Sequence, residues 1–186
     1  MGFYDDKHTA LQYIAMAEGY DGRDLIDVLR KRLPEGSSIL ELGMGPGVDL
    51  DILQEHFRAT GSDISQFFID RYRENNPDAE LMLLDAVNLE TNRAFDCIYP
   101  NKVLHHLEDE QLAKSLRRQI DCLNDGGLVF HSFWRGEGTD EHHELKFVYQ
   151  NEDSFRKIFN KSFGKVEVVT YTEMERDDSM YVIARE

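Results

Sequence analysis

The sequence predicts an α/β fold: three α-β-α layers around a doubly wound, mostly parallel seven-stranded sheet with a C-terminal antiparallel hairpin. Three observations carry this expectation. Short apolar runs of strand character alternate with amphipathic helical stretches from residue 37 to residue 160. Turn signals punctuate the alternation, among them Pro34, Pro77 and Asn124-Asp125-Gly126-Gly127. Finally, two strand-like runs follow one another at the end of the chain, separated only by Glu175-Arg176-Asp177-Asp178. Alternation with short connections builds parallel strands, and the final hairpin adds an antiparallel one.

In order, a helical N-terminal segment places Leu25, Val28, Leu29 and Leu33 on one stripe and stops before Pro34. Ser37 to Gly43 reads as the first strand, and a helix follows from about Val48 to Phe57 with Leu50, Leu53 and Phe57 aligned. Ala59 to Ile64 is the second strand, and Ser65 is a plausible cap for a helix carrying Phe68, Ile69 and Tyr72. Glu80 to Asp85 is a nearly continuous apolar run, the pattern of a strand buried on both faces. Phe95 to Tyr99 is the fourth strand, and Glu108 to Leu123 a helix aligning Leu112, Leu116 and Ile120. Gly127 to Trp134 is the fifth strand; a polar stretch read as loop precedes a helix over Asn151 to Asn160. Lys165 to Met174 and Ser179 to Arg185 close the chain.

The 186 residues suit one domain with a real core, and no repeat or linker interrupts them. A formal charge of −15 works against polyanionic partners, so no nucleic acid is expected. The basic clusters Arg30-Lys31-Arg32 and Arg117-Arg118 read as solvated helix faces. No apolar run approaches the roughly 20 residues of a membrane helix, so no membrane partner is expected. The acidic start MGFYDDKHTA lacks the layout of a signal peptide, which predicts a cytoplasmic protein. Cys97 and Cys122 sit in apolar contexts and read as reduced, buried thiols.

The most informative stretch is ILELGMGPGVDL, residues 39 to 50. Glycines at 43, 45 and 47 let the chain turn tightly and let backbone approach a ligand. Asp63, about twenty residues after the first of them, has the spacing at which a carboxylate receives ribose hydroxyls. A dinucleotide fingerprint requires a third glycine at position 48, where this chain has valine, and no phosphate-binding lysine follows.

With ILELGMGPG, GSDIS, LLDA, FDCIYPNKVLHHL and LNDGGLVF in this order, the chain resembles the class I S-adenosylmethionine-dependent methyltransferases over nearly its whole length. The closing hairpin is also that family's hallmark. The resemblance implies a Rossmann-like core over residues 35–186, a helical lid over residues 1–34, and S-adenosylmethionine as cofactor with S-adenosylhomocysteine as product. It assigns Glu41 to the cofactor's amino group, and Gly43 and Gly45 to close backbone approach. Asp63 would hold the ribose, Ile64 would pack on the adenine, and Asp85 and Ala86 would meet its edge. Asn101 falls near the methyl end. Pro100 departs from the family's habit of a small polar residue there, and YPNK is not the motif that orients an exocyclic amine in nucleic-acid amino-methyltransferases.

Methyl transfer from a sulfonium needs alignment above all, so the catalytic residue is the least legible part. His105, His142 and His143 are the candidates. Adjacent histidines flanked by Glu141 and Glu144 point in different directions, so no metal is expected. Tyr13 and Tyr20 of the lid, with Trp134 and Arg135 after the fifth strand, are the candidate acceptor contacts. The absence of a sizeable insertion after the fourth or fifth strand favours a small-molecule acceptor; a monomer or homodimer is expected. A non-catalytic binding protein and a methyltransferase for a macromolecule are the alternatives.

Overall fold

A computed structural model of the chain describes residues 6–142 and 145–185. One seven-stranded sheet runs in the order β3-β2-β1-β4-β5-β9-β8. Its strands are β1 (Ser38–Leu42), β2 (Arg58–Asp63), β3 (Leu81–Leu83), β4 (Phe95–Tyr99), β5 (Leu123–Trp134), β8 (Lys165–Tyr171) and β9 (Ser179–Arg185). A separate ribbon pairs β6 (Thr139–His142) with β7 (Leu145–Val148). The helices are α1 (Lys7–Met16), α2 (Arg23–Arg30), α3 (Val48–Gln54), α4 (Gln66–Asn75), α5 (Asp109–Asp121) and α6 (Glu152–Phe159). The mostly parallel, doubly wound sheet closed by an antiparallel hairpin matches the sequence reading. The chain divides into two compact units, residues 1–85 and 86–186.

In the first unit, β1 and β2 run parallel with Leu40 opposite Thr60, and β2 and β3 run parallel with Asp63 opposite Leu83. Ile39, Leu40, Leu42, Leu50, Leu53 and Phe68 are buried and make its core. The helical segment before Pro34 consists of two helices, and α2 buries Leu25, Ile26 and Leu29. The apolar run at 80–85 is a correction. Only Leu81–Leu83 forms a strand, it lies at the sheet edge, and Leu83 is 57% exposed. An edge strand has one partner and incomplete cover, so apolar content alone overstated its burial.

In the second unit, β4 and β5 are parallel, while β9 pairs antiparallel with both β5 and β8. Phe133, Phe155, Phe159 and Phe163 pack in a row in the core, edge-on at Phe133–Phe155, tilted at Phe155–Phe159 and stacked at Phe159–Phe163. Asn124 to Gly127, read as a turn before the strand, bulge out within β5. Leu123 pairs with Phe95 and Leu128 with Cys97, and Gly126 takes φ +75°. The Asn124 amide donates to Asp96 Oδ1 at 2.8 Å and fastens the bulge. Reciprocal capping bonds start α5 at Glu108/Gln111 and α6 at Asn151/Ser154. The ribbon β6–β7 occupies the polar stretch expected as loop.

Candidate functional site

The glycine loop after β1 is held by its neighbour β2. Gly43, Gly45 and Gly47 have φ of +70°, +51° and +89°, backbone that side-chain-bearing residues rarely adopt. Met44 N–H donates to Ser62 O at 2.8 Å, and the Ser62 hydroxyl donates to Glu41 O at 2.7 Å. Gly45 N–H donates to Asp63 Oδ2 at 2.9 Å, while Ser65 N–H donates to Oδ1 at 2.8 Å. Ser65 is the N-cap residue of α4, as expected, with extended backbone; its side chain makes no cap bond, and its N–H is held by Asp63 instead. Val48, where a dinucleotide motif wants glycine, begins α3 and points to solvent.

Glu41 and Asp63 thus lie at the ends of adjacent strands, with Gly43 and Gly45 in the loop that Asp63 holds. Ile64, just beyond Asp63, is 55% exposed, an apolar surface beside the acid. Asp85 is half-buried past the end of β3.

Two residues join the loop that the sequence reading either left open or missed. Tyr13 of α1 lies against Gly45, where an added Cβ would stand 3.5 Å from its ring. It meets Phe68 edge-on at 6.1 Å. Burial, then Asp63, Asp49 and Glu41, push its hydroxyl's pKa up, so it is a neutral phenol. Tyr20, the other tyrosine candidate, is 52% exposed. Asp49, which the sequence reading did not single out, is buried at the start of α3 and accepts Gly22 N–H at 2.7 Å.

Glu41 is the electrostatic centre of this unit. It is 3% exposed, and its Oε2 has no hydrogen-bond partner. Burial, then Asp49, Asp63 and Asp51, hold its pKa well above the usual carboxylate range. A buried acidic group without a donor, beside bare glycine backbone, fits a ligand bringing positive charge and N–H or O–H donors.

The second unit holds the remaining candidates. The Ala86 carbonyl accepts the Ser115 hydroxyl at 2.6 Å; Ser115 accepts Gln119 Nε2 at 3.0 Å; Gln119 Oε1 meets His131 Nε2 at 2.8 Å. His131 is therefore a neutral core histidine, and burial lowers its pKa to about 3. Asn101 bridges to Ser132, whose hydroxyl donates to Asn101 Oδ1. His105 lies in a 3-10 turn, Leu104–His106, stacked on Phe147 at 5.0 Å. Its Nδ1 is buried without a partner. Burial, then His106 and Lys102, keep its pKa well below the ordinary value, so it is an uncharged imidazole. His106 Nδ1 binds Lys146 O at 2.8 Å.

Trp134 is engaged by Lys102, whose ammonium lies 3.5 Å from the ring centroid. That ammonium also donates to Phe133 O at 3.2 Å and Ser179 Oγ at 2.7 Å, and pairs with Glu173 at 2.8 Å. Arg135 is exposed; its backbone N–H donates to Asp178 O at 2.7 Å. His142 lies in β6, and His143 falls outside the described residues. Among the described residues, no three of His, Cys, Asp and Glu converge as a metal set.

Residues 14–166 match the family of methyltransferase domains. One similar protein is the dTDP-3-amino-3,4,6-trideoxy-alpha-D-glucopyranose N,N-dimethyltransferase of Streptomyces venezuelae. It is 27% identical over 129 residues, 67% of this chain and 54% of that protein. Another is the tRNA (carboxymethyluridine(34)-5-O)-methyltransferase of Saccharomyces cerevisiae, 29% identical over 119 residues, 61% of this chain and 42% of that one. The chain thus spans about half the length of these relatives. Among solved structures, Streptomyces venezuelae DesVI superposes with a TM-score of 0.78 at 17% identity, covering 97% of this chain and 99% of that one. With the fold, the glycine loop and this match in hand, the chain belongs to the methyltransferase-domain family and has the class I, Rossmann-like architecture.

Proposed function

We propose that this chain is a methyltransferase that uses S-adenosylmethionine and passes its methyl group to a small-molecule acceptor. The observation that carries the reading is Glu41: a buried carboxyl, without a hydrogen-bond donor at Oε2, beside three glycines of positive φ and three further acids. That surface suits an amino-acid-bearing cation and opposes an anionic ligand. Family membership supports the reading, as do solved fold neighbours described as complexes with S-adenosylmethionine or S-adenosylhomocysteine.

Bound cofactor supplies an electrophilic methyl on a sulfonium, a strong leaving group. The chain's own residues bind and align. Glu41 would hold the ammonium, Asp63 would receive the ribose hydroxyls, and Ile64 would offer apolar surface to the adenine. The resemblance assigns further cofactor contacts to Asp85, Ala86 and Asn101. An acceptor nitrogen or oxygen that must shed a proton needs a neutral base. His105, uncharged and unpartnered at Nδ1, is the chain's candidate for that role. Tyr13, against Gly45, is the candidate acceptor or cofactor contact from the N-terminal segment.

A charge of −15 opposes a tRNA acceptor, and one relative's amino-sugar substrate favours a small one. A cytoplasmic monomer or homodimer, folded as one functional domain, belongs to the same reading. Incubation with methyl-labelled S-adenosylmethionine and separate pools of amino sugars, organic acids and bulk tRNA tests it. Label in a small-molecule pool is expected. Label in tRNA alone would move the acceptor to a macromolecule, and cofactor binding without transfer to any pool would favour a non-catalytic binding protein.

A further inference from the structure

Every acid around Glu41 except Glu41 itself is supplied with donors. Asp63 receives Gly45 N–H and Ser65 N–H at 2.9 and 2.8 Å. Asp49 on α3 receives Gly22 N–H at 2.7 Å, and Asp51 receives the Tyr72 hydroxyl at 2.6 Å. Tyr13, from α1, faces the same group as a neutral phenol. Glu41 Oε2 has no partner, and among the described residues the charges acting on Glu41 are those of three acids, Asp49, Asp63 and Asp51. Hydrogen bonds to a carboxylate favour its ionised form, whereas burial among like charges favours the neutral acid. Among neighbouring acids, those receiving N–H or O–H donors keep their charge more easily than one that is buried without a donor.

We propose that Glu41 stands as the neutral carboxylic acid in the free chain and releases its proton to solvent when a cationic amine is seated against it. The step balances simply: the O–H bond at Glu41 breaks, the proton passes to buffer, and the resulting carboxylate pairs with the ligand's ammonium. Among the described residues, no lysine, arginine or histidine acts on Glu41 to play that part. The inference rests on the cofactor reading for the identity of the amine, but the state of Glu41 in the free chain stands apart from it. It makes cofactor binding tighter as pH rises from the acid side toward neutral and above, because the proton is a competitor of the ligand.

Two measurements on the full chain test this. Infrared difference spectra of the free protein at pH 7, wild type minus Glu41→Gln, report the carbonyl stretch of a protonated carboxylic acid. The band is expected in the wild type and absent from the variant; no difference band would overturn the proposal. Calorimetric titration with S-adenosylmethionine in buffers of different ionisation enthalpy then counts protons. Release of about one proton per ligand is expected, with at least tenfold weaker binding and near-zero release in Glu41→Gln. Binding without proton release, or equal release from both proteins, would overturn the proposal while leaving the cofactor reading intact. Failure to bind S-adenosylmethionine would instead remove the cofactor reading, and the infrared band would still decide the state of Glu41.

Discussion

Gly45 donates its backbone N–H to Asp63 Oδ2 at 2.9 Å, so the acid that ends β2 clamps the loop that ends β1. The same carboxylate also receives Ser65 N–H and thereby starts α4. One side chain therefore shapes the loop and remains the proposed seat of the ribose. Removing it strands two backbone donors. Asp63→Ala is expected to cost about 1–3 kcal/mol of stability and to weaken cofactor binding at least tenfold, by the loss of charge-assisted bonds. Asp63→Asn retains one acceptor and should fall between wild type and alanine. Urea denaturation and calorimetry would report the order; an alanine variant as stable as wild type would contradict it.

The loop glycines are not equivalent. At Gly47 a Cβ would lie 2.3 Å from the Tyr72 ring, whose hydroxyl is tied to Asp51, and φ is +89°. At Gly45 the corresponding contact is an ordinary 3.5 Å. Gly47→Ala combines a left-handed backbone penalty of about 1–2 kcal/mol with overpacking of about 1–3 kcal/mol. Gly45→Ala meets the backbone term alone. Chemical denaturation of the two variants should therefore show Gly47→Ala as clearly the more damaging.

His131 makes an acid-side prediction. Its folded pKa is about 3, lowered by burial, against an ordinary 6.5. Between those values the unfolded chain binds a proton that the folded chain does not. Stability from this residue is thus full above pH 6.5 and is lost as pH falls, by up to about 1.4 kcal/mol per unit. Stability profiles of wild type and His131→Gln should converge as pH drops from 6.5 toward 3. Parallel profiles would contradict the burial of a neutral imidazole.

Lys102 predicts the opposite flank. Burial lowers its pKa from 10.5 to about 8, against the opposing pull of Glu173. From pH 8 to 10.5 the unfolded chain holds the proton that the folded chain has shed, so this group's contribution rises with pH. Relative to Lys102→Met, wild type should gain stability across that window, measurable by denaturation at a series of pH values. A constant difference would show that the ammonium is not desolvated.

What could be read in advance follows from how local each signal is. The glycines at 43, 45 and 47 reported positive φ because their backbone requires it, and Asp63 followed from strand spacing. Strand β4 was legible from five consecutive residues, Phe95–Tyr99. The ribbon β6–β7 was not, because Thr139–His142 reads Thr-Asp-Glu-His, with no apolar residue to mark it as a strand. Nor was the cage around Lys102, which gathers Trp134, Tyr171, Glu173 and Ser179 from three separate stretches of chain. Glu41 was placed by its motif, but its isolation depends on Asp49, Asp51, Asp63 and Tyr13, and only three-dimensional structure brings those together.

The most direct test of the central claim is a calorimetric titration of the wild-type chain with S-adenosylmethionine, S-adenosylhomocysteine and NAD in parallel. The first two are expected to bind at one site each, competitively with one another, and to weaken at least tenfold in Asp63→Ala, while NAD gives no heat of binding. Tight binding of NAD with none of S-adenosylmethionine would contradict the account.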